Sequence, residues 1–257
     1  MKYAVIMYNF NGYEIMRDIP DCALDQDIEY LYITDDPNLK AKNWKIIIDH
    51  DLDELSSFDK CYRVRFNLFK YTNADYVMYI DGSIQILKNP KIYFEQFLDS
   101  GNDLAVCVHP GRTTLFEEYY EWTKSRNYDK IKAFTALNYM QENGYDVKNY
   151  KGLYQGGFRI IKNTNVQKEL DNDCYKILKE LGGEDIERID QTVYSFLLNT
   201  KYKKLTLLPY NDSCFFSSIL NIQKHGQTFR FNKQAKNRPY IKQGYVRNSL
   251  VNLLSIQ

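Results

Sequence analysis

Carboxylates at the ends of apolar runs are the residues of this 257-residue chain most suited to chemistry. The clearest is Asp81, which closes the run Tyr76-Val77-Met78-Tyr79-Ile80 and opens the turn Asp81-Gly82-Ser83. An apolar run of that length bounded by polar residues reads as a strand buried on both faces. Open α/β sheets bind their ligands beyond the carboxyl ends of such strands. Asp81 stands as the first acid of an Asp-x-Asp pattern for a metal and a diphosphate, with Ser83 in place of the second. A hard cation such as Mn²⁺ or Mg²⁺ takes oxygen ligands, so one carboxylate with substrate phosphates can hold it. Asp-Gly is also a common turn pair, and alone the motif reads more readily as a plain turn. Its surroundings reverse that preference.

Four other sets of residues carry possible chemistry. Arg63 and Arg65 sit in a helical pattern spanning Phe58 to Tyr71, whose apolar face is Tyr62, Phe66, Leu68 and Phe69. Guanidinium groups there suit diphosphate oxygens, although either arginine alone reads as a solvated helix charge. Asp190 and Gln191 fall in the first turn of a helix over Asp185 to Asn199, marked by Ile189, Val193, Phe196 and Leu197 on one face. A positioned carboxylate takes the proton of an attacking hydroxyl; a carboxylate in a first turn is also simply favoured by the helix dipole. Gly156 and Gly157 let backbone approach a ligand, or mark a bulge. Tyr8, Asn9 and Phe10, at the end of the first apolar run, offer polar and aromatic groups to a nucleobase, or form an ordinary strand-to-helix turn.

The elements behind these residues alternate in type. Strands are predicted at Tyr3–Tyr8, Ile28–Ile33, Trp44–Ile48, Tyr76–Ile80, Val106–Val108 and Phe158–Ile161, with helices at Thr113–Trp122 and within Asn127–Asn149. Strands about 15 to 25 residues apart, with turn signals between, predict an α/β fold: a wound, mostly parallel twisted sheet flanked by helices. No repeat or linker divides the chain, so one domain over 1–257 is expected, with a core over 1–212 and a basic segment over 213–257. The formal charge of +1 argues against nucleic-acid binding. Five cysteines without a Cys-x-x-Cys pair argue against structural zinc and for free thiols in a reducing cytosol. The short apolar run at the amino terminus reads as a strand rather than a leader, and no stretch has the length of a membrane span. A cytoplasmic location is expected.

Taken in order, these motifs resemble glycosyltransferases of the GT-A fold, and in particular a bacterial, viral and plant family with a signature near W-I-D-G-N-I. Here the signature is Tyr79-Ile80-Asp81-Gly82-Ser83-Ile84. His109-Pro110-Gly111-Arg112 is similar to the family's His-Pro-x-Arg segment, and Glu117-Glu118-Tyr119 to its acidic helix. Gly152 to Ile161 resembles its glycine-containing strand, and Arg188-Ile189-Asp190-Gln191 its R-D-Q helix opening, with one residue inserted. The family often has Lys and then His on the helix before the signature, where this chain has Arg65 and then Phe69-Lys70; Ser83 replaces Asn.

The resemblance implies a single GT-A-like domain that passes a sugar from a nucleotide diphosphate donor, a UDP-sugar foremost, to a hydroxyl of a glycan-type acceptor. Asp81, with Ser83 and a late histidine, His225, would meet Mn²⁺ or Mg²⁺. Tyr8, Asn9, Phe10, Thr34, Asp35, Arg63, Arg65, Asp81, Gly156 and Gly157 would meet the donor, and Asp190 with Gln191 the acceptor or sugar. His109 either touches donor or metal or is structural. Two alternatives stand beside this one. A sugar-nucleotide pyrophosphorylase is disfavoured because the loop Asn9 to Tyr13 has one glycine and no base. A non-catalytic nucleotide- or carbohydrate-binding module is kept open by the incomplete Asp-x-Asp. Beyond Asp212 the chain has Lys and Arg but no acid, which suits closure over a diphosphate or peripheral contact with an anionic membrane.

Overall fold

Seven strands hydrogen-bond side by side in the order β3-β2-β1-β4-β7-β6-β8. The computed structural model describes residues 1–124, 130–183, 189–211 and 219–222. Among these, the strands are β1 (Tyr3–Asn9), β2 (Ile28–Thr34), β3 (Lys45–Ile48), β4 (Tyr76–Ile80), β5 (Ile84–Ile86), β6 (Leu104–Val108), β7 (Tyr154–Lys162), β8 (Leu207–Tyr210) and β9 (Leu220–Ile222). The helices are α1 (Ser57–Arg65), α2 (Lys91–Ser100), α3 (Leu115–Lys124), α4 (Lys130–Glu142), α5 (Asn165–Glu180) and α6 (Ile189–Asn199). Neighbours in the large sheet run parallel except where β7 lies antiparallel to β4 and β6. This is the mostly parallel α/β sheet with flanking helices that the sequence predicts, in a GT-A-like arrangement. A two-stranded sheet, β5 against β9, leaves the end of β4 three residues beyond Asp81.

The two-sided burial of the central strands follows from their uninterrupted apolar composition. Ala4, Ile6 and Tyr8 of β1 and Val77 and Tyr79 of β4 enter one core, with Tyr62 and Val64 of α1, Leu170 and Cys174 of α5, and Ile189 and Val193 of α6. Tyr3, Val5, Met7, Met78 and Ile80 point the other way, onto Phe94 and Phe97 of α2. Because side chains alternate along a strand, Tyr8 and Tyr79 share the face covered by α1 and α6.

Several element boundaries differ from the predicted ones. The helix read over Phe58 to Tyr71 ends at Arg65, and a short 3-10 turn follows at Leu68–Lys70. Ser56 caps its start by accepting from the Asp59 N–H at 3.2 Å. The strand predicted at Phe158–Ile161 begins at Tyr154, so Gly156 and Gly157 lie inside it. Helices α2 and α5 and strands β5, β8 and β9 were not predicted.

One ion pair joins the helices to the sheet. Arg159 lies on β7 directly opposite Tyr79 of β4 and is buried. It donates to Asp171 of α5 at 2.6 Å and to the carbonyl of Arg65 at the end of α1. Its guanidinium also lies 5.2 Å from the Phe66 ring centre and 5.4 Å from that of Tyr194 on α6. Burial opposes charge on Arg159, but the Asp171 carboxylate and the Tyr194 hydroxyl together outweigh it and raise its pKa. Removing one member of a buried pair strands the other, so Arg159→Met or Asp171→Asn is expected to cost about 3–5 kcal/mol. The double variant Arg159→Met/Asp171→Leu is expected to be more stable than either single one, as read from urea unfolding midpoints.

Candidate functional site

The carboxyl ends of β1, β2 and β4 lie beside α1 and the start of α6. The rings of Tyr8 and Tyr79 stack with centroids 5.4 Å apart, and Phe10 continues the row at 5.8 Å from Tyr8. The Arg65 guanidinium lies over this floor, 5.0 Å from the Tyr79 ring and 5.9 Å from that of Tyr8. It donates to the Tyr79 hydroxyl at 2.8 Å and pairs with the Asp190 carboxylate. The Tyr79 hydroxyl in turn lies 3.4 Å from Asp81 Oδ1. Asp190, Arg65, Tyr79 and Asp81 therefore form a continuous polar chain across the site. The sequence presented them as separate motifs.

Backbone geometry fixes Asp81 at one end of this chain. Its N–H donates to the Gly157 carbonyl at 2.9 Å, extending the β4–β7 ladder by one step. Its carbonyl accepts from the Ile84 N–H at 2.9 Å, which closes the turn through Gly82 and Ser83. On β7, the register against β6 slips between Val106 and Cys107, which pair with Arg159 and Gln155 respectively. Gly156 and Gly157 occupy the resulting irregularity, as the bulge reading expects. Neither glycine has a positive φ. The constraint is space. A Cβ on Gly156 would lie 2.8 Å from Arg65 Nη1 and 3.1 Å from Asp190 Oδ2.

Asp190 lies in the first turn of α6, as predicted, and is buried. The helix is tied to β7 and the segment before it by the Ser195 hydroxyl, which accepts from the Tyr154 N–H at 3.0 Å, and by Asn199, which donates to the Gly152 carbonyl at 3.1 Å. These bonds set the height of Asp190 over Gly156. Gln191 turns elsewhere. It donates to Glu118 of α3 at 2.7 Å, and Glu118 also pairs with Arg112. His109 belongs to this second cluster, with Nδ1 3.2 and 3.1 Å from the N–H groups of Gly111 and Arg112. Its Nε2 lies 2.7 Å from Arg112 Nη2.

The residues expected to face a nucleoside form a compact lattice. Asn9 folds back on its own loop, donating to the Glu14 carbonyl at 2.7 Å and accepting from the Glu14 N–H at 3.0 Å. Asp35 accepts from the Asn11 N–H at 2.8 Å and from Lys60 of α1 at 3.0 Å. Thr34 is buried beside it and accepts from the Asp36 N–H at 3.2 Å. Lys60 also lies 5.8 Å from the Phe10 ring centre. Sequence reading missed Lys60. Lys60 and Arg65 stand five residues and about 140° apart around α1, so no shared helical face marks them as one site.

Arg63 is not brought together with the other predicted donor residues. Residues two apart on an α-helix point in nearly opposite directions. Arg65 faces the floor, whereas Arg63 is exposed and lies 4.9 Å from the Tyr175 ring centre on α5. Ser83 is buried in the turn into β5, with no hydrogen bond to Asp81. His225 and the basic segment after Asp212 lie outside the described residues, apart from Ile219 to Ile222.

The donor set at Asp81 suits a hard cation that brings ligands with it. Oδ1 accepts from the Gly82 N–H at 3.1 Å, whereas Oδ2 accepts no hydrogen bond among the described residues and faces Gly157. Among those residues no three His, Cys, Asp or Glu side chains cluster as a metal cage. Mg²⁺ and Mn²⁺ do not need one when phosphate oxygens and water complete the shell. Electrostatics around the site favour fixed charge. Burial penalises charge on Arg65, but Tyr79, Tyr8 and Asp81 more than offset this and raise its pKa. Burial also raises the Tyr79 hydroxyl and pushes the Cys61 thiol up to about 12, so neither is a nucleophile near neutrality.

Residues 43–162 match the family model described as TOD1/MUCI70, glycosyltransferase-like domain. The matched stretch includes α1 with Lys60 and Arg65, the Asp81 turn, the His109–Arg112 segment and the Gly156-Gly157 strand. It supports the glycosyltransferase-like family that the motifs resemble. No curated protein gives a significant match to the chain.

The glycine pair yields a test that needs no substrate. Gly156→Ala is expected to lower stability by about 1–3 kcal/mol, because a methyl group must displace an already paired guanidinium. Gly157→Ala, whose Cβ would meet Asp81 Cβ at an ordinary 3.6 Å, is expected to change it by less than about 0.5 kcal/mol. Thermal unfolding of the two variants side by side measures the difference.

Proposed function

We propose that this chain is a glycosyltransferase that moves a sugar from a nucleotide diphosphate donor, a UDP-sugar foremost, to a hydroxyl of a glycan-type acceptor. The observation that carries the reading is the polar chain from Asp81 through Tyr79 and Arg65 to Asp190 at the carboxyl ends of the sheet strands. The matched family supports sugar transfer as the chemistry. The donor nucleotide, the cation and the acceptor are our assignments.

The residues divide the work along the site. The nucleoside would lie against Phe10, Thr34 and the lattice of Asp35 and Lys60, with its diphosphate extending over Tyr8 and Tyr79 toward Asp81. Asp81 Oδ2 would hold Mn²⁺ or Mg²⁺, which when bound supplies positive charge to the diphosphate oxygens. During transfer the acceptor oxygen bonds to the anomeric carbon while the bond from that carbon to the β-phosphate oxygen breaks. Negative charge then grows on the nucleoside diphosphate. Arg65, fixed and desolvated, is arranged to meet it. Asp190 lies beyond Arg65 and would accept the proton of the acceptor hydroxyl.

If Asp81 holds the cation, Asp81→Ala is expected to fold normally and to reduce Mn²⁺-dependent turnover of a UDP-sugar by at least about 100-fold. Circular dichroism and release of UDP, assayed across a panel of nucleotide sugars, decide this. A folded variant with undiminished turnover excludes Asp81 from the site.

A further inference from the structure

The residue placed to bind diphosphate and the residue placed to accept a proton are bonded to each other. Arg65 and Asp190 form an ion pair whose side chains are only 12% and 9% exposed. Arg65 spends Nη2 on Tyr79 and Nη1 on Asp190, and its Nε has no partner among the described residues. It lies over the rings of Tyr8 and Tyr79, and Gly156 packs against Nη1. Little unclaimed guanidinium is left for an incoming anion. A carboxylate in such a pair is also a poor base, because accepting a proton forfeits a charge-assisted bond inside a low-dielectric enclosure.

From this geometry we infer that the Arg65–Asp190 pair is a latch opened by diphosphate: the anion takes the guanidinium and thereby frees Asp190 for the acceptor. The inference rests on the reading of this face as a diphosphate site. A diphosphate carries more charge and more acceptor oxygens than one carboxylate, so it competes for a planar, multidentate donor. Each partner that Arg65 holds excludes the other, and the coupling is reciprocal by thermodynamic necessity. Donor binding would therefore precede acceptor activation because the donor supplies the anion. Gly156 contributes by leaving just enough room for the pair to form and to separate.

Inorganic pyrophosphate tests this without sugar or base. Its affinity is measured by calorimetry, with and without Mn²⁺, for the wild type, Asp190→Asn, Arg65→Gln and the Arg65→Gln/Asp190→Asn double variant. Asp190→Ala serves as a second release variant, and circular dichroism checks the fold of each. Asp190→Asn removes the competing charge and is expected to tighten pyrophosphate binding about 10-fold or more. The latch requires that this gain disappear when Arg65 is absent. A gain that persists in the Arg65→Gln background is only relief of general repulsion and overturns the latch. Unchanged or weaker binding by both Asp190 variants overturns it too, as does failure of every protein to bind. The functional reading fails separately: absence of turnover across nucleotide sugars would remove it while leaving the pyrophosphate comparison intact.

Discussion

A single buried guanidinium, that of Arg159, holds the architecture together. It rises from β7 into the core between sheet and helices, where an unpaired charge would cost several kcal/mol. The cost is met by Asp171 from α5, the Arg65 carbonyl from α1, and the rings of Phe66 and Tyr194. Three helices are thereby located relative to one strand. Two of them carry site residues: Arg65 is the last residue of α1, and Asp190 lies one turn before Tyr194 on α6. Charge in the interior acts here as a register mark, because only one mutual placement of these helices satisfies it.

A second level of order comes from aromatic surface. The row of Phe10, Tyr8 and Tyr79 supplies a polarisable floor on which cations rest, Lys60 at one end and Arg65 at the other. Each of these cations is also matched by a carboxylate, Asp35 and Asp190 respectively. The site is therefore pre-organised but internally neutralised. An anionic ligand has to exchange partners there rather than fill an empty positive pocket.

How much of this was legible in the sequence depended on what carried the signal. Strands β1, β2 and β4 were visible because burial on both faces demands continuous apolar runs. Asp81 was legible for the same reason, as the first polar residue after such a run. Helix α5 escaped because its buried face includes Gln167 and Asp171, whose burial makes sense only with Arg159 opposite. Arg159 itself looked like an outlier in a strand. The choice between Arg63 and Arg65 needed the helix phase, which short apolar stripes do not fix to within a residue. The Gln191–Glu118–Arg112 cluster joins segments about 70 to 80 residues apart, and no local pattern encodes such a meeting. Gly156 was the reverse case: the type was legible, but the reason, side-chain room for Arg65 and Asp190, belongs to the folded state.

The central position of β4 has a kinetic side. Its partners β1 and β7 lie about 70 and 85 residues away along the chain, so both ladders close large loops before any contact rewards them. Chains dominated by such non-local pairing fold slowly relative to helical ones of similar stability. Every residue of the polar chain depends on those two closures: Tyr79 and Asp81 on β4, Gly156 on β7, and Arg65 and Asp190 on helices docked across them. The site therefore has no local precursor, and it comes into being at the same step as the sheet itself.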